Sequence, residues 1–118
     1  MRDYRKYKVW EMGHELTLSI YRITQSFPDS EKYSVISQMQ RAAYSIPSNI
    51  AEGCGRDSNA EFVRFLVIAR GSATELEYFL LLSKELNYLG TDQYEALFDK
   101  VNQTKRSLNN LIEKVKSV

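Results

Sequence analysis

The sequence is poor in the residues that mark disulfide-rich, turn-rich and histidine-based metal proteins. Its 118 residues include one cysteine, two prolines, five glycines and one histidine. A single cysteine excludes an internal disulfide and is typical of a reducing compartment. Few prolines and glycines leave little material for the turns of an all-β fold. The composition favours helices, and Cys54 is interpreted as incidental because no thiolate-activating partner is identifiable.

Long apolar runs are also missing. No segment approaches the ~20 apolar residues of a membrane span, and no signal-peptide hydrophobic stretch follows the basic start. We therefore expect a cytoplasmic protein without a membrane partner. The length suits one domain that covers residues 1–118.

Apolar residues recur at helical spacing in four segments, which predicts an all-α fold. The expected helices cover about residues 7–26, 30–53, 58–88 and 91–116. Short connections make consecutive helices neighbours, so we predict an antiparallel up-down-up-down four-helix bundle. Pro47 lies inside the second segment and predicts a kink there. Ser58 and Glu61 form a capping box for the third helix, and Gly90 is expected to end it.

The third helix carries a second apolar stripe beside the one that faces the bundle. Glu75 is its one charged member, and the expected interface residues on it are Phe65, Ile68, Ser72, Phe79 and Leu82. A helix at the edge of a bundle needs one apolar stripe, not two. Two interpretations stay open: the third helix is the most buried helix of a monomer, or its second stripe contacts another subunit.

Candidate catalytic and metal-binding groups are isolated. Glu11 and His14 match half of the Glu-x-x-His motif of di-iron bundles, but a second histidine is missing. The same shortage leaves Cys54 and the serines without a histidine base nearby in sequence. We therefore expect no enzyme activity, no bound metal and no cofactor.

A polar strip on the second helix has two possible interpretations. It comprises Arg41, Ser45, Ser48, Asn49 and Glu52. The strip is either a solvated face or a partly buried network in which Arg41 or Asn49 meets Glu75. Buried charges persist only when they are paired and hydrogen-bonded. The network hypothesis therefore predicts a large loss of stability in Arg41→Leu.

Charge is unevenly distributed although the net charge is only +1. Residues 1–8 carry +3, residues 100–118 carry +4, and the stretch between them carries −6. An up-down-up-down bundle would gather both basic termini at one pole, with Tyr4, Tyr7 and Trp10 interleaved. The candidate nucleic-acid-binding residues are Arg2, Arg5, Lys6, Lys8, Arg56, Lys114 and Lys116, with Lys105 and Arg106 further along the fourth helix. Chemistry alone favours the alternative, in which the C-terminal lysines complement the helix dipole and the N-terminus is a loose tail.

Residues 41–56, RAAYSIPSNIAEGCGR, resemble the signature of the 23S rRNA intervening-sequence protein family. The resemblance continues through residues 61–66, 69–72 and 75–77, and it includes Val9-Trp10 and Phe27-Pro28. The signature positions that we expect to act structurally are Arg41, Ser45, Pro47, Asn49, Glu52, Gly53 and Glu75.

This resemblance implies a bacterial four-helix bundle that assembles into a homopentamer. Members of the family are named for reading frames in insertions within bacterial large-subunit rRNA genes. A related bundle, the accessory protein of diversity-generating retroelements, is a basic pentamer that binds nucleic acid and a reverse transcriptase. Our first hypothesis is therefore a non-catalytic homo-oligomer that binds rRNA or another nucleic acid. The near-neutral charge departs from that relative, so a protein–protein scaffold that presents the acidic middle is the alternative.

Overall fold

The computed structural model describes residues 2–118 and contains four α-helices. They are α1 (Lys8–Thr24), α2 (Ser37–Cys54), α3 (Asn59–Glu85) and α4 (Thr91–Lys116). A 3₁₀ turn at Tyr4–Lys6 precedes α1, and a 3₁₀ turn at Asp29–Glu31 with a wide π-helical turn at Lys32–Ile36 precedes α2. No β-strand occurs within residues 2–118. Across the same residues, none of the helices combines the length and apolar character that crossing a membrane requires.

One apolar core joins the four helices. Each helix contributes side chains that are almost fully buried, among them Leu16, Ile20, Met39, Ile46, Ile50, Phe62, Leu66, Leu76, Leu80, Val101 and Leu108. Burying an aliphatic or phenyl side chain of this size stabilises a fold by about 1.5–3 kcal/mol. The expected all-helical bundle is therefore present, and its packing is the main source of its stability.

Pro47 lies in the interior of α2 and is buried, yet the helix continues to Cys54. Proline has no backbone N–H, so the carbonyl of Ala43 lacks its usual helical donor. The hydroxyl of Thr17 on α1 fills this role, with Oγ1 3.1 Å from the Ala43 oxygen and 2.8 Å from the Gly13 oxygen. Gly13 permits the close approach, because a Cβ atom there would lie 2.8 Å from Cγ2 of Ile46. A hydrogen bond from α1 thus replaces the backbone donor that Pro47 removes from α2.

The second and third helices differ from the predicted ranges at one end each. Residues 29–36 form turns, so α2 begins at Ser37 instead of near residue 30. The third helix ends at Glu85, and Asn87 adopts the left-handed conformation, with φ of 64°. Asparagine tolerates this conformation better than most residues. The prediction for Gly90 is wrong: it caps the start of α4, where its N–H donates to Oε1 of Gln93 at 3.4 Å.

Candidate nucleic-acid interface and subunit surface

The segment that begins at Arg2 packs against the end of α2 and the start of α3. Arg2 donates to the backbone oxygen of Arg56 at 3.4 Å and to the side chain of Asn59. Its guanidinium also lies 4.2 Å from the centroid of the Phe62 ring. Asp3 caps the following 3₁₀ turn, and the backbone hydrogen bond from Arg5 holds the pKa of this carboxyl below its usual value. The N-terminal segment is therefore tied to the bundle and is not a loose tail.

The C-terminal lysines lie at the same end of the molecule. Lys114 and Lys8 line one cleft between α4 and the start of α1. Lys116 lines another cleft with Asn59, which is the residue that Arg2 contacts. Both termini and the turn between α2 and α3 thus meet. We call this end the basic pole and define it by Arg2, Arg5, Lys6, Lys8, Arg56, Lys114 and Lys116.

Some of the candidate cations are already paired with carboxylates. Arg5 lies 3.3 Å from Asp3, Arg56 lies 2.8 Å from Glu52, and Lys105 lies 3.5 Å from Glu77. Within residues 2–118, no ion pair involves Lys6, Lys8, Arg106, Lys114 or Lys116. Lys105 and Arg106 lie on α4, about 12–14 Å along its axis from Lys114 at 1.5 Å per residue. The unpaired charge at the pole comes chiefly from its lysines.

The second apolar stripe of α3 is partly solvent-facing. Phe65 is only 8% exposed, and the guanidiniums of Arg56 and Arg64 lie 4.8 and 4.5 Å from its ring centroid. The Phe65 side chain therefore packs within the subunit and offers little surface to a second subunit. Ile68 remains 40% exposed, whereas Ser72, Phe79 and Leu82 are half-buried. We call this outer part of the stripe the α3 face and define it by Ile68, Ser72, Phe79 and Leu82.

Further apolar side chains extend the α3 face. Val67, Tyr78, Leu81 and, just after the helix, Leu86 are exposed. Val67, Tyr78 and Leu81 belong to neither predicted stripe, because they lie between the stripes and the polar side of the helix. Gly71 adjoins them, and a Cβ atom at this position would meet nothing within 4 Å. The α3 surface is therefore broader and more apolar than predicted.

The signature residues differ in how much they contribute to the contacts between helices. Gly53 packs on α3 so closely that a Cβ atom would lie 2.9 Å from Cβ of Phe65. Asn49 donates to the carbonyl of Ser45 at 2.7 Å and does not meet Glu75. Arg41 does reach Glu75, at 3.4 Å, but the two side chains are 51% and 39% exposed. The network is therefore a surface pair, and such pairs contribute only about 0–1 kcal/mol.

The remaining candidate groups are the metal-ligand types, Cys54 and His14. Across residues 2–118, no three His, Cys, Asp or Glu side chains are grouped as metal ligands. Cys54 is buried, and this burial raises the pKa of its thiol. His14 stacks on Trp10, with ring centroids 5.1 Å apart. The spacing of four residues between Trp10 and His14 is the sequence signal for this contact, which was not predicted.

Comparisons with known proteins identify the family. The model of the 23S rRNA-intervening sequence protein family matches residues 5–110. A crystal structure of a protein of unknown function from the S23 ribosomal protein family of Bacteroides thetaiotaomicron VPI-5482 is similar, with a TM-score of 0.82. The two chains are 27% identical over 89% of this chain and 95% of the other. No curated protein matches the chain. Together with the signature in α2, these matches show that the chain belongs to the 23S rRNA-intervening sequence protein family.

Proposed function

We propose that this chain is a non-catalytic bundle that self-associates and binds RNA through the basic pole in the cytoplasm. The observation that carries the proposal is the convergence of both basic termini at one end, where Lys6, Lys8, Lys114 and Lys116 have no ion pair within residues 2–118. Lysines that contact phosphates release counterions from the nucleic acid. This electrostatic contribution to the binding free energy depends on the charge near the contact more than on the net charge of the protein.

An antiparallel up-down-up-down topology is part of the proposal. It is supported by the order of the contacts between neighbouring helices. Along α1, residues 13, 17 and 24 meet residues 46, 43 and 40 of α2. Along α3, residues 70, 77 and 84 meet residues 109, 105 and 94 of α4. Such opposed numbering is what antiparallel neighbours produce.

Self-association is supported by the α3 face. Exposed apolar residues that are contiguous on a soluble protein usually mark an interface. Ile68 and Tyr78 remain 40% and 57% exposed, and Gly71 offers open space for a neighbouring backbone. We expect five subunits, which is the number that the sequence resemblance implies. Light scattering at micromolar concentration tests it: a monomeric mass contradicts self-association.

RNA is favoured as the ligand by family membership, because the family is named for sequences within 23S rRNA genes. A matched pair of triple variants tests the binding surface. Replacing Lys6, Lys114 and Lys116 by Gln is expected to weaken RNA binding at low salt and to flatten its salt dependence. Each lost phosphate contact should reduce the slope of log K against log salt by about 0.7–0.9.

The control removes the same charge elsewhere, with Arg22, Lys32 and Lys84 replaced by Gln. Its affinity and salt slope are expected to stay closer to those of the original protein. Equal losses in both triple variants would show that net charge, not the basic pole, governs binding. No RNA affinity at low salt would remove the proposed function.

A protein–protein scaffold is the second candidate. Within residues 2–118, no ion pair involves the exposed α4 residues Asp92, Glu95 and Asp99, and Phe98 beside them is 39% exposed. Acidic residues around an aromatic side chain suit a basic partner protein. A stable complex with a protein in pull-downs, free of RNA and lost in Phe98→Ala, would select this function.

A further inference from the structure

An aromatic stack of partly buried rings begins at the basic pole and continues along α1. The rings of Tyr4 and Trp10 are 5.0 Å apart between centroids and inclined by 58°. Trp10 and His14 are 5.1 Å apart and nearly parallel, with an angle of 7°. The guanidinium of Arg5 lies 5.7 Å from the centroid of Tyr4. Arg5, Tyr4, Trp10 and His14 thus form one series of planar groups, named the α1 stack.

Local helix geometry explains only part of this stack. Trp10 and His14 are four residues apart on α1, so their contact is an ordinary helical one. Tyr4 comes from the preceding 3₁₀ turn and folds back onto Trp10, which joins the stack to the basic pole. All three rings are only half-buried, and within residues 2–118 no hydrogen bond involves the indole N–H or the imidazole nitrogens. These polar edges therefore face solvent.

We propose that the α1 stack binds unpaired nucleobases, so that the basic pole selects single-stranded RNA over duplex RNA. The inference rests on the proposed function. Arg5, Lys6 and Lys8 place positive charge within four residues of Tyr4, where the phosphates of a strand whose bases reach the rings would pass. Base–aromatic stacking contributes about 1–3 kcal/mol per base and tolerates any sequence. Bases inside a duplex are already stacked on each other and cannot add to the rings.

Trp10 provides a direct probe, because it is the only tryptophan in the chain. The full chain is titrated at low salt while the emission of Trp10 is recorded. The three titrants carry no fluorescent label and are an oligouridine, a blunt RNA duplex of equal length, and heparin. We expect oligouridine to quench the emission of Trp10, while duplex and heparin bind with little change in it. Anisotropy of labelled RNAs measures binding independently of the tryptophan.

Substitutions in the stack separate base stacking from phosphate binding. Tyr4→Ala and His14→Ala are each expected to weaken single-strand binding by about 5- to 150-fold, which is the range of one lost stacked base. Duplex affinity should change by less than about twofold, because the phosphate contacts remain. His14→Phe restores a stacking ring and is expected to recover most of the single-strand affinity, which a general folding defect would not allow.

Tyr33→Ala is the matched control, because Tyr33 is 87% exposed and has the Lys32 ammonium 5.7 Å from its ring centroid. It lies outside the basic pole and should leave single-strand affinity unchanged. Base stacking is overturned if RNA binds without quenching Trp10, or if Tyr4→Ala and His14→Ala bind single-stranded RNA as tightly as the original protein does. Either result leaves phosphate binding intact. Equal quenching by duplex also overturns the selectivity. Failure of every RNA to bind removes the proposed function as well.

Discussion

At the scale of single residues, Pro47 shows how a neighbouring helix can compensate for a missing backbone donor. The Ala43 carbonyl is buried between α1 and α2, and Thr17 is the side chain that donates to it. Because the same hydroxyl also lies near the Gly13 oxygen, one proton serves two carbonyls. The local structure therefore depends on Gly13 and Thr17 of α1 together with Pro47 of α2.

Thr17→Val removes this hydroxyl while keeping the shape of the side chain. Its expected cost is about 1–3 kcal/mol in the free energy of unfolding, because the Ala43 carbonyl stays buried without a partner. Thr17→Ser should retain most of the stability. In a Pro47→Ala background the new N–H can satisfy Ala43, so Thr17→Val should cost less there. Urea unfolding of the original protein, Thr17→Val, Pro47→Ala and the double variant measures the coupling. A cost of Thr17→Val that does not depend on residue 47 would contradict the compensation.

The same glycine-to-alanine change is predicted to have opposite effects at two positions. In Gly13→Ala the new methyl would lie 2.8 Å from Ile46, so we expect a loss of about 1–3 kcal/mol from overpacking. In Gly71→Ala the methyl meets nothing within 4 Å, so the monomer should gain about 1 kcal/mol of helix stability. Urea unfolding at concentrations that keep the chain monomeric measures the free energy of unfolding of both variants against that of the original protein. A loss in both variants would argue against open space at Gly71.

At the scale of elements, the turn before α2 is fastened to the end of α3. The hydroxyl of Tyr88 donates to Glu31 at 2.6 Å, and Ser34 also donates to this carboxylate. The hydrogen bonds from Ser34 and Tyr88 lower the pKa of Glu31, and the bond to Glu31 raises the pKa of Tyr88. A short polar link thus holds residues 29–36 where a continuous helix was predicted.

This link makes stability dependent on acid pH. Glu31 has a lower pKa in the folded state than its ordinary value of 4.5, so its contribution is present above pH 4.5 and is lost as the pH falls through the folded pKa. We expect Tyr88→Phe to be less stable than the original protein at pH 7, with a smaller difference at pH 3. Urea midpoints at both pH values measure it, with Tyr33→Phe as the control. An equal difference at both values would exclude the linkage.

Helix periodicity predicted the elements well where local signals agreed with the packing. Ser58 was expected to cap α3, and its Oγ accepts the N–H of Glu61 at 3.1 Å. The start of α2 was missed because the bond between Glu31 and Tyr88 joins residues 57 apart, which no local pattern contains. The end of α3 was missed because Asn87, not the more obvious Gly90, takes the left-handed conformation.

At the scale of the whole molecule, the convergence of the termini was predictable from charge and helix order, but the state of each charge was not. Arg5, Arg56 and Lys105 resemble Lys6 and Lys114 in sequence, yet only the first three have carboxylates beside them. The aromatic stack was hidden for a related reason, because Tyr4 reaches Trp10 only through the turn before α1. Among these contacts, Glu52–Arg56 and Trp10–His14 follow the four-residue spacing of a helix, whereas Lys105–Glu77 and Tyr4–Trp10 depend on side-chain geometry that spacing does not specify.

Assembly and RNA binding should be coupled, because self-association through the α3 face would bring several basic poles into one particle. Linked sites bind a long strand with an effective concentration that a single site lacks, which commonly raises affinity by about 10²–10⁴-fold. Ile68→Lys places a charge on the α3 face, where the native side chain is 40% exposed, so the folded subunit should tolerate it. We expect light scattering to show a smaller particle for this variant.

Ile68→Lys adds a positive charge, so a simple count of charges predicts tighter RNA binding. We expect the opposite for a long RNA: weaker binding and a shallower salt slope, because fewer poles contact one strand. An oligonucleotide too short to reach two poles should bind almost as well as before, since each pole is intact. Tyr33→Lys adds the same charge at an exposed residue outside the α3 face and serves as the control. If Ile68→Lys dissociates the particle without weakening long-RNA binding, each pole acts alone and assembly has another purpose.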